Sequence, residues 1–232
     1  MSDFYIQKLH KPVDRTEWEM TPQTYNAYYN PSNNEIVLPA AAFILPGIPD
    51  SLVDDALVYS YAGGSTIGHE ITHGFDDEGR QFDERGNLQQ WWTPEDEKEF
   101  KRRAALIVHQ YAGYVAVGDL HVNGDATQGE NIADLGGILL GWDAFTKTEQ
   151  YKRAEPTGGF TPNQRFFIGW ALSWMNQLRP ENLAVRVKTD VHAPSFLRVI
   201  GPVTNLPQFY DAYGVQASDP MFRPDSVRVR IW

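Results

Sequence analysis

The 232-residue chain has no cysteine, which excludes a disulfide framework, a thiolate metal site and a Cys-based zinc ribbon. The redox compartment is left open. Long apolar runs are also missing. Ile36 to Pro49 is broken by Pro39, Pro46 and Pro49, and Phe166 to Trp174 is short. Neither approaches the roughly 18–20 residues of a membrane span. Basic residues are scarce, with 20 Lys and Arg against 30 Asp and Glu. The net charge of −10 argues against nucleic acid and anionic membrane as partners. Met1-Ser2-Asp3-Phe4-Tyr5 carries neither the basic n-region nor the apolar h-region of a signal peptide. No internal repeat or low-complexity tract is visible. The chain reads as soluble.

What is present suffices for one globular domain: 42% of the residues are hydrophobic and 22% charged. Residues 1–23 mix Pro, Lys and Asp without a period and read as a connecting arm, with the domain proper over 24–232. Aromatic and β-branched residues flank an Asn/Pro turn between Tyr25 and Leu38, which predicts a hairpin. A helix is expected over Val53 to Tyr61. Thr93-Pro94-Glu95-Asp96 reads as an N-cap, with Phe100, Ala104, Ile107 and Tyr111 at helical spacing behind it. Gly118 to Gly124 reads as loop, and Gly129 to Phe145 as helix. Thr161-Pro162-Asn163-Gln164 resembles a capping box opening an apolar helix through about Gln177. From there to Trp232 the Pro/Gly/Asn-rich chain reads as irregular. The fold class is α+β, mostly helical, with a small N-terminal sheet or hairpin.

The centre of the chain is Thr66-Ile67-Gly68-His69-Glu70-Ile71-Thr72-His73-Gly74-Phe75-Asp76-Asp77. On a helix, residues four apart share a face, so His69 and His73 can present imidazole nitrogens to one point. That spacing suits Zn²⁺, and Glu70 beside it can serve a metal-bound water as general base. Gly63-Gly64-Ser65-Thr66 reads as a loop and N-cap before this helix, with Ile67 and Ile71 on its apolar face.

A third ligand is required. The spacing H-E-x-x-H-x-x-G-x-x-H fails, because Asp76 stands at the Gly position and Gly79 at the last His position. Asp76 and Asp77 are candidates by proximity, although Gly74 weakens the helix that would align them. Gly129-Glu130-Asn131-Ile132-Ala133-Asp134 places two carboxylates four apart among apolar and small residues. Buried together they repel each other unless a cation lies nearby. Spacing alone leaves these alternatives open.

Several segments match a known family in order. They are Asn26-Ala27-Tyr28-Tyr29, Ile67 to Asp77, Trp91-Trp92-Thr93, Asn123-Gly124, Gly129 to Asp134, Arg179-Pro180-Glu181, Lys188 to Pro194 and the terminal Trp232. The chain resembles the thermolysin-like zincin catalytic domain of the neprilysin-type zinc endopeptidases, a group that includes endothelin-converting enzymes and bacterial oligopeptidases. The resemblance implies one Zn²⁺ per chain, held by His69, His73 and Glu130, with Glu70 as general base. It implies that Asp134 fixes the tautomer of His69, that His192 donates to the oxyanion, and that Asp190 orients His192. Arg198 matches a residue that binds a substrate carbonyl. Asn26 and Ala27 match a segment that pairs with substrate backbone, and Trp174 matches a pocket residue. His10, His109 and His121 are expected to be structural.

Two departures stand out. Family members run to about three times this length, with an N-terminal helical part covering the active site. The implied partners are therefore peptide substrates and either an N-terminal lid chain or a self-association surface. An idle zinc-binding fragment awaiting that lid is the alternative to an autonomous peptidase. Second, positions lining the family's apolar primed-side pocket carry Ala42, Ser65 and Thr66 here, a smaller and more polar set. The acidic, cysteine-free composition points to a microbial source.

Overall fold

Asp54 opens the first long helical run by accepting a hydrogen bond from Leu57 N at 2.9 Å, an N-cap at the predicted Val53 boundary. In the computed structural model, which describes residues 3–232, that run does not stop at Tyr61. It continues as α2 (Asp55–Leu57), a π-helical segment (Val58–Gly68) and α3 (His69–His73), α1 being the short Asp3–Ile6 turn. The expected loop and N-cap at Gly63 to Thr66 is therefore helix. Met1 and Ser2 of the expected arm lie outside the described residues.

The reason is packing. Helix α5 (Gln128–Phe145) lies along the π segment and α3. Where they cross, a Cβ added to Gly68 would stand 2.8 Å from the Gly137 carbonyl oxygen, and one added to Gly137 would stand 2.4 Å from that of Gly64. Glycines that look like punctuation in the sequence let two backbones touch while both stay helical. The turns here are wide, His69 N–H reaching back to Gly64 O, and α5 packs along them.

Around this pair the core closes. Helix α4 (Pro94–Ala112) starts at the predicted Thr93 cap and buries Phe100, Ala104, Ile107 and Tyr111. After α6 (Glu149–Arg153), α7 (Pro162–Ser173) opens with the predicted capping box between Thr161 and Gln164. It ends at Ser173, short of Gln177. Trp170, Phe166 and Phe145 are fully enclosed, and Trp142 stacks on Phe167 at 5.4 Å. Each such side chain contributes about 1.5–3 kcal/mol by leaving water.

The C-terminal third corrects the expectation of irregular chain. It holds α8 (Pro180–Thr189), α9 (Ser195–Val203) and α10 (Pro207–Tyr213). Pro180 and Pro207 occupy first turns, where the missing N–H costs nothing, so they start helices rather than break them. Strands are short. β1 (Tyr28–Asn30) pairs antiparallel with β2 (Glu35–Val37), Tyr28 facing Val37, as the hairpin reading predicts. β3 (Val115–Val117) and β4 (Leu120–His121) form a second hairpin through Gly118, at φ 58°, and β4 falls inside the Gly118 to Gly124 stretch read as loop. No helix among the described residues is long and apolar enough to cross a membrane.

Candidate functional site

The close crossing of α3 and α5 sets the site. His69 and His73, one turn apart on α3, meet Glu130 from the first turn of α5. One ligand atom from each of these three residues lies within 4.8 Å of the others. His69 Nε2 is 3.0 Å from His73 Nε2 and 3.2 Å from Glu130 Oε2, and His73 Nε2 is 3.6 Å from Glu130 Oε1. Glu130 is thus the carboxylate brought to the histidines.

Asp76 and Asp77 are not. Asp76 sits behind His73, its Oδ2 at 2.7 Å from Nδ1, while its Oδ1 accepts from the backbone N–H groups of Glu78 and Gly79. Asp134 does the same for His69, with Oδ1 at 2.9 Å from Nδ1 in an oblique contact. Carboxylates only accept, so Asp76 holds the ring proton on His73 Nδ1 and turns its Nε2 lone pair inward, and the Asp134 charge beside His69 Nδ1 favours the same tautomer there. Two imidazole lone pairs and a carboxylate oxygen converging on one point fit a cation. Burial would lower the His69 pKa, but Asp134 and Glu130 overcome it and raise it to about 9. A proton held there stands in for the charge a metal would bring. Burial likewise opposes ionisation of Glu130, yet contacts with His192, His69 and Arg198 hold its carboxyl well below the usual range.

Behind the cluster, Arg198 of α9 bridges both carboxylates of α5. Its Nε and Nη2 donate to Asp134 at 2.8 Å each, and Nη2 lies 3.3 Å from Glu130 Oε2. The Trp174 ring covers it, with the guanidinium carbon 3.7 Å from the ring centroid. On the open side, His192 Nε2 is 3.2 Å from Glu130 Oε1, and its Nδ1 is 2.6 Å from Asp190 Oδ1. Arg186 clamps Asp190 from below at 2.6 Å. The Glu70 carboxyl is nearly buried and its pKa is raised by burial, against the opposing charges of His69 and His73.

These groups line one cleft of about 510 Å³, which also takes in Asn26 and Ala27 just before β1. His69, Glu70, His73, Glu130, His192, Arg198 and Trp174 border that cleft with them. Asp134 lies fully buried behind His69 and Arg198, Asp190 touches the cleft through His192, and Asp77 does not line it. Sequence reasoning missed the part played by Asp76, although its position three residues after His73 on a continuing turn was the available signal. It also missed Arg186 and Ser173, which have no motif of their own.

Comparison with known proteins agrees with this geometry. The family model described as peptidase family M13 matches residues 26–229. An endothelin-converting enzyme homolog of Locusta migratoria is 41% identical over 211 residues, which cover 88% of this chain and 28% of that protein. Endothelin-converting enzyme 1 of Homo sapiens is 40% identical over 230 residues, covering 96% and 29%. The crystal structure of Mycobacterium tuberculosis zinc metalloprotease Zmp1 with an inhibitor superposes with a TM-score of 0.90 at 43% identity, covering 99% of this chain and 36% of that one. PepO from Lactobacillus rhamnosis HN001 gives 0.83 at 36% identity, covering 94% and 32%. The chain spans under a third of the length of the two curated relatives. It belongs to peptidase family M13, the neprilysin family of metallopeptidases.

Proposed function

We propose that this domain, residues 24–232 behind the 1–23 arm, is a zinc-dependent endopeptidase acting on oligopeptides. The observation that carries the reading is the convergence of His69, His73 and Glu130, backed by carboxylates, in a cleft that Glu70 and His192 share. His69, His73 and Glu130 would hold one zinc ion, since two imidazoles and a carboxylate form a donor set that leaves a coordination position open. When bound, zinc supplies Lewis acidity that brings the pKa of a water toward about 7.

The chain's own residues do the rest. Glu70 accepts the proton of the attacking water on its carboxylate and returns it to the leaving amine. Its raised pKa brings it nearer the operating range of a base. His192, held at Nδ1 by Asp190, offers Nε2–H to the substrate carbonyl oxygen as negative charge develops there. Asp134 and Asp76 keep the ligand histidines in one tautomer. Arg198 binds a substrate carbonyl at the cleft wall beside Trp174. Asn26 and Ala27 lead into β1, which pairs only with β2 among the described residues, so a peptide can add as a further strand.

The deciding experiment is Glu70→Gln with zinc content and cleavage of a quenched peptide measured on one sample. Full zinc with turnover reduced by at least about 100-fold is expected. Lost zinc would sink the assignment of Glu70 as base.

A second reading has its own observation. Phe43, Ile44 and Met175, neighbours of cleft-lining Ala42 and Trp174, are exposed at 44%, 62% and 77%. On that reading the chain is a zinc-binding catalytic fragment, idle until a separate N-terminal lid chain covers this rim. Cleavage by the isolated monomer would exclude it. Cleavage only after a lid chain is added would establish it.

A further inference from the structure

At the end of the cleft away from Trp174 stands Glu78. Beyond His73 the chain folds back so tightly that a Cβ on Gly79 would stand 1.8 Å from the His73 carbonyl oxygen. Buried Asp76 locks this turn. Its Oδ1 accepts from the N–H groups of Glu78 at 2.9 Å and Gly79 at 2.7 Å, while its Oδ2 faces His73 Nδ1. The Glu78 backbone is thus fixed beside the His69–His73–Glu130 cluster, and its exposed side chain lines the cleft. Among the described residues its carboxylate has neither a hydrogen bond nor an ion pair. Arg80, two positions on, is engaged elsewhere. Its guanidinium lies over Trp92 and Phe100, 5.8 and 5.4 Å from their ring centroids, and donates to Glu97 at 3.3 Å. Among the described residues no lysine lines the cleft, and its one arginine, Arg198, is tied to Asp134 and Glu130. Glu78 is an uncompensated charge.

The surroundings of this charge are aromatic and apolar. Tyr29 lies against the end of α3, its hydroxyl 3.4 Å from where a Gly74 Cβ would stand, and it lines the cleft with Met20, Tyr25 and Pro31. A lysine or arginine side chain suits such a place. Its methylenes cover apolar surface while the charged head stays in water. Tyrosine faces attract a cation, and the carboxylate accepts a charge-assisted hydrogen bond. An acidic side chain would meet like charge from Glu78, Asp76 and Asp77 on the same turn. A peptide added as a strand beside Ala27 reaches this end by continuing along β1, where Tyr28 and Tyr29 follow. With residues after the scissile bond against the Trp174 wall, those before it lie here. We infer that Glu78 is a specificity-determining residue that selects peptides with Lys or Arg within the two residues on the amino side of the scissile bond, over uncharged or acidic side chains there. The inference rests on the peptidase reading above.

The test is calorimetric binding of peptidyl hydroxamates to the zinc-loaded full chain. The hydroxamate closes the carboxyl end of each probe, so every peptide residue lies on the amino side of the metal-binding group. Acetylated dipeptide hydroxamates carry Lys, side-chain-acetylated Lys or Glu at the first or the second position, with Ala at the other. At one of the two positions Lys is expected to bind about threefold to fivefold tighter than its acetylated form, the scale of an exposed ion pair, and tighter still than Glu. Salt at about 0.5 M is expected to bring that ratio below about twofold. Glu78→Gln, checked for full zinc content, is expected to do the same at low salt, and Glu78→Lys to make the Glu probe the tighter one. Equal binding of Lys and acetylated Lys at both positions overturns the preference but leaves the peptidase reading standing. An unchanged ratio in Glu78→Gln overturns the assignment to Glu78. Failure of all the probes on zinc-loaded protein overturns the peptidase reading, and the preference with it.

Discussion

Arg198 and Asp134 meet in a two-point ion pair, 2.8 Å at each contact, with the carboxylate fully buried and the arginine 7% exposed. The same carboxylate faces His69 Nδ1, so one group serves both the fold and the His69–His73–Glu130 cluster. Burial opposes the charge on Asp134, and Arg198 beside it wins, holding its pKa below the ordinary value.

Asp134→Asn should therefore act on both levels. Breaking a buried pair by neutralising one partner typically costs about 3–5 kcal/mol. Removing the carboxylate behind a ligand histidine typically costs about 10–100-fold in metal affinity. We expect a lowered melting temperature and weaker zinc binding, read by calorimetry and by titration against a chromophoric chelator. Weaker folding with unchanged zinc affinity would remove Asp134 from the metal cluster.

Metal removal is the second prediction. Three converging donors make the bound state more stable by linkage, about 2.7 kcal/mol when free zinc is 100 times the dissociation constant. For a chain of this size that corresponds to roughly 5–10 °C. Chelation should lower the melting temperature by that amount and zinc should restore it. Glu130→Ala should melt at the same temperature with and without zinc. A persistent zinc effect in that variant would mean that another carboxylate holds the ion.

Gly137 supplies the third. An alanine Cβ there would fall 2.4 Å from Gly64 O and 2.8 Å from His69 N, so α5 must move off α3. Overpacking of this kind costs about 1–3 kcal/mol. Because Glu130 and Asp134 ride on α5, Gly137→Ala should also weaken zinc binding. Gly118→Ala is the control: its Cβ would meet nothing within 4 Å, and it strains only a positive φ far from the cluster. It should lower stability slightly and leave zinc affinity alone.

The glycines also show what could and could not be read in advance. The His69–Glu70–His73 spacing, the α4 and α7 caps and the β1–β2 turn are local, and each is found where its residues place it. Gly63 and Gly64 read as a break because glycine's local preference is for loops, whereas the crossing of α5 is a long-range fact. The C-terminal helices were hidden for a related reason: Pro180 and Pro207 are helix starters only if the turn behind them is helical. That Glu130 rather than Asp76 is the carboxylate set beside both Nε2 atoms could not be told by spacing either. It depends on which helix packs against α3. The pairing of Ser65 with Ser173, 108 positions apart, had no sequence signal at all.

Asp77 gives the last prediction, a pH dependence. Its carboxyl is more than half buried, its Oδ1 has no partner, and burial together with the neighbouring Asp76 charge raises its pKa to about 6. A folded-state pKa above the unfolded value of 3.8 means that the folded chain binds the proton more tightly. The associated stability is fully present below about pH 4 and is lost as pH rises through about 6. The full shift would correspond to about 3 kcal/mol, and partial exposure and solvent screening reduce this to about 1 kcal/mol. Asp77→Asn in the chelated protein should thus match the wild type at pH 4 and exceed it by about 1 kcal/mol at pH 7.5, seen as a melting temperature higher by roughly 2–4 °C. Comparing the two pH curves cancels groups common to both, such as His69. Destabilisation by Asp77→Asn at pH 7.5 would show instead that the ionised carboxylate has a stabilising partner.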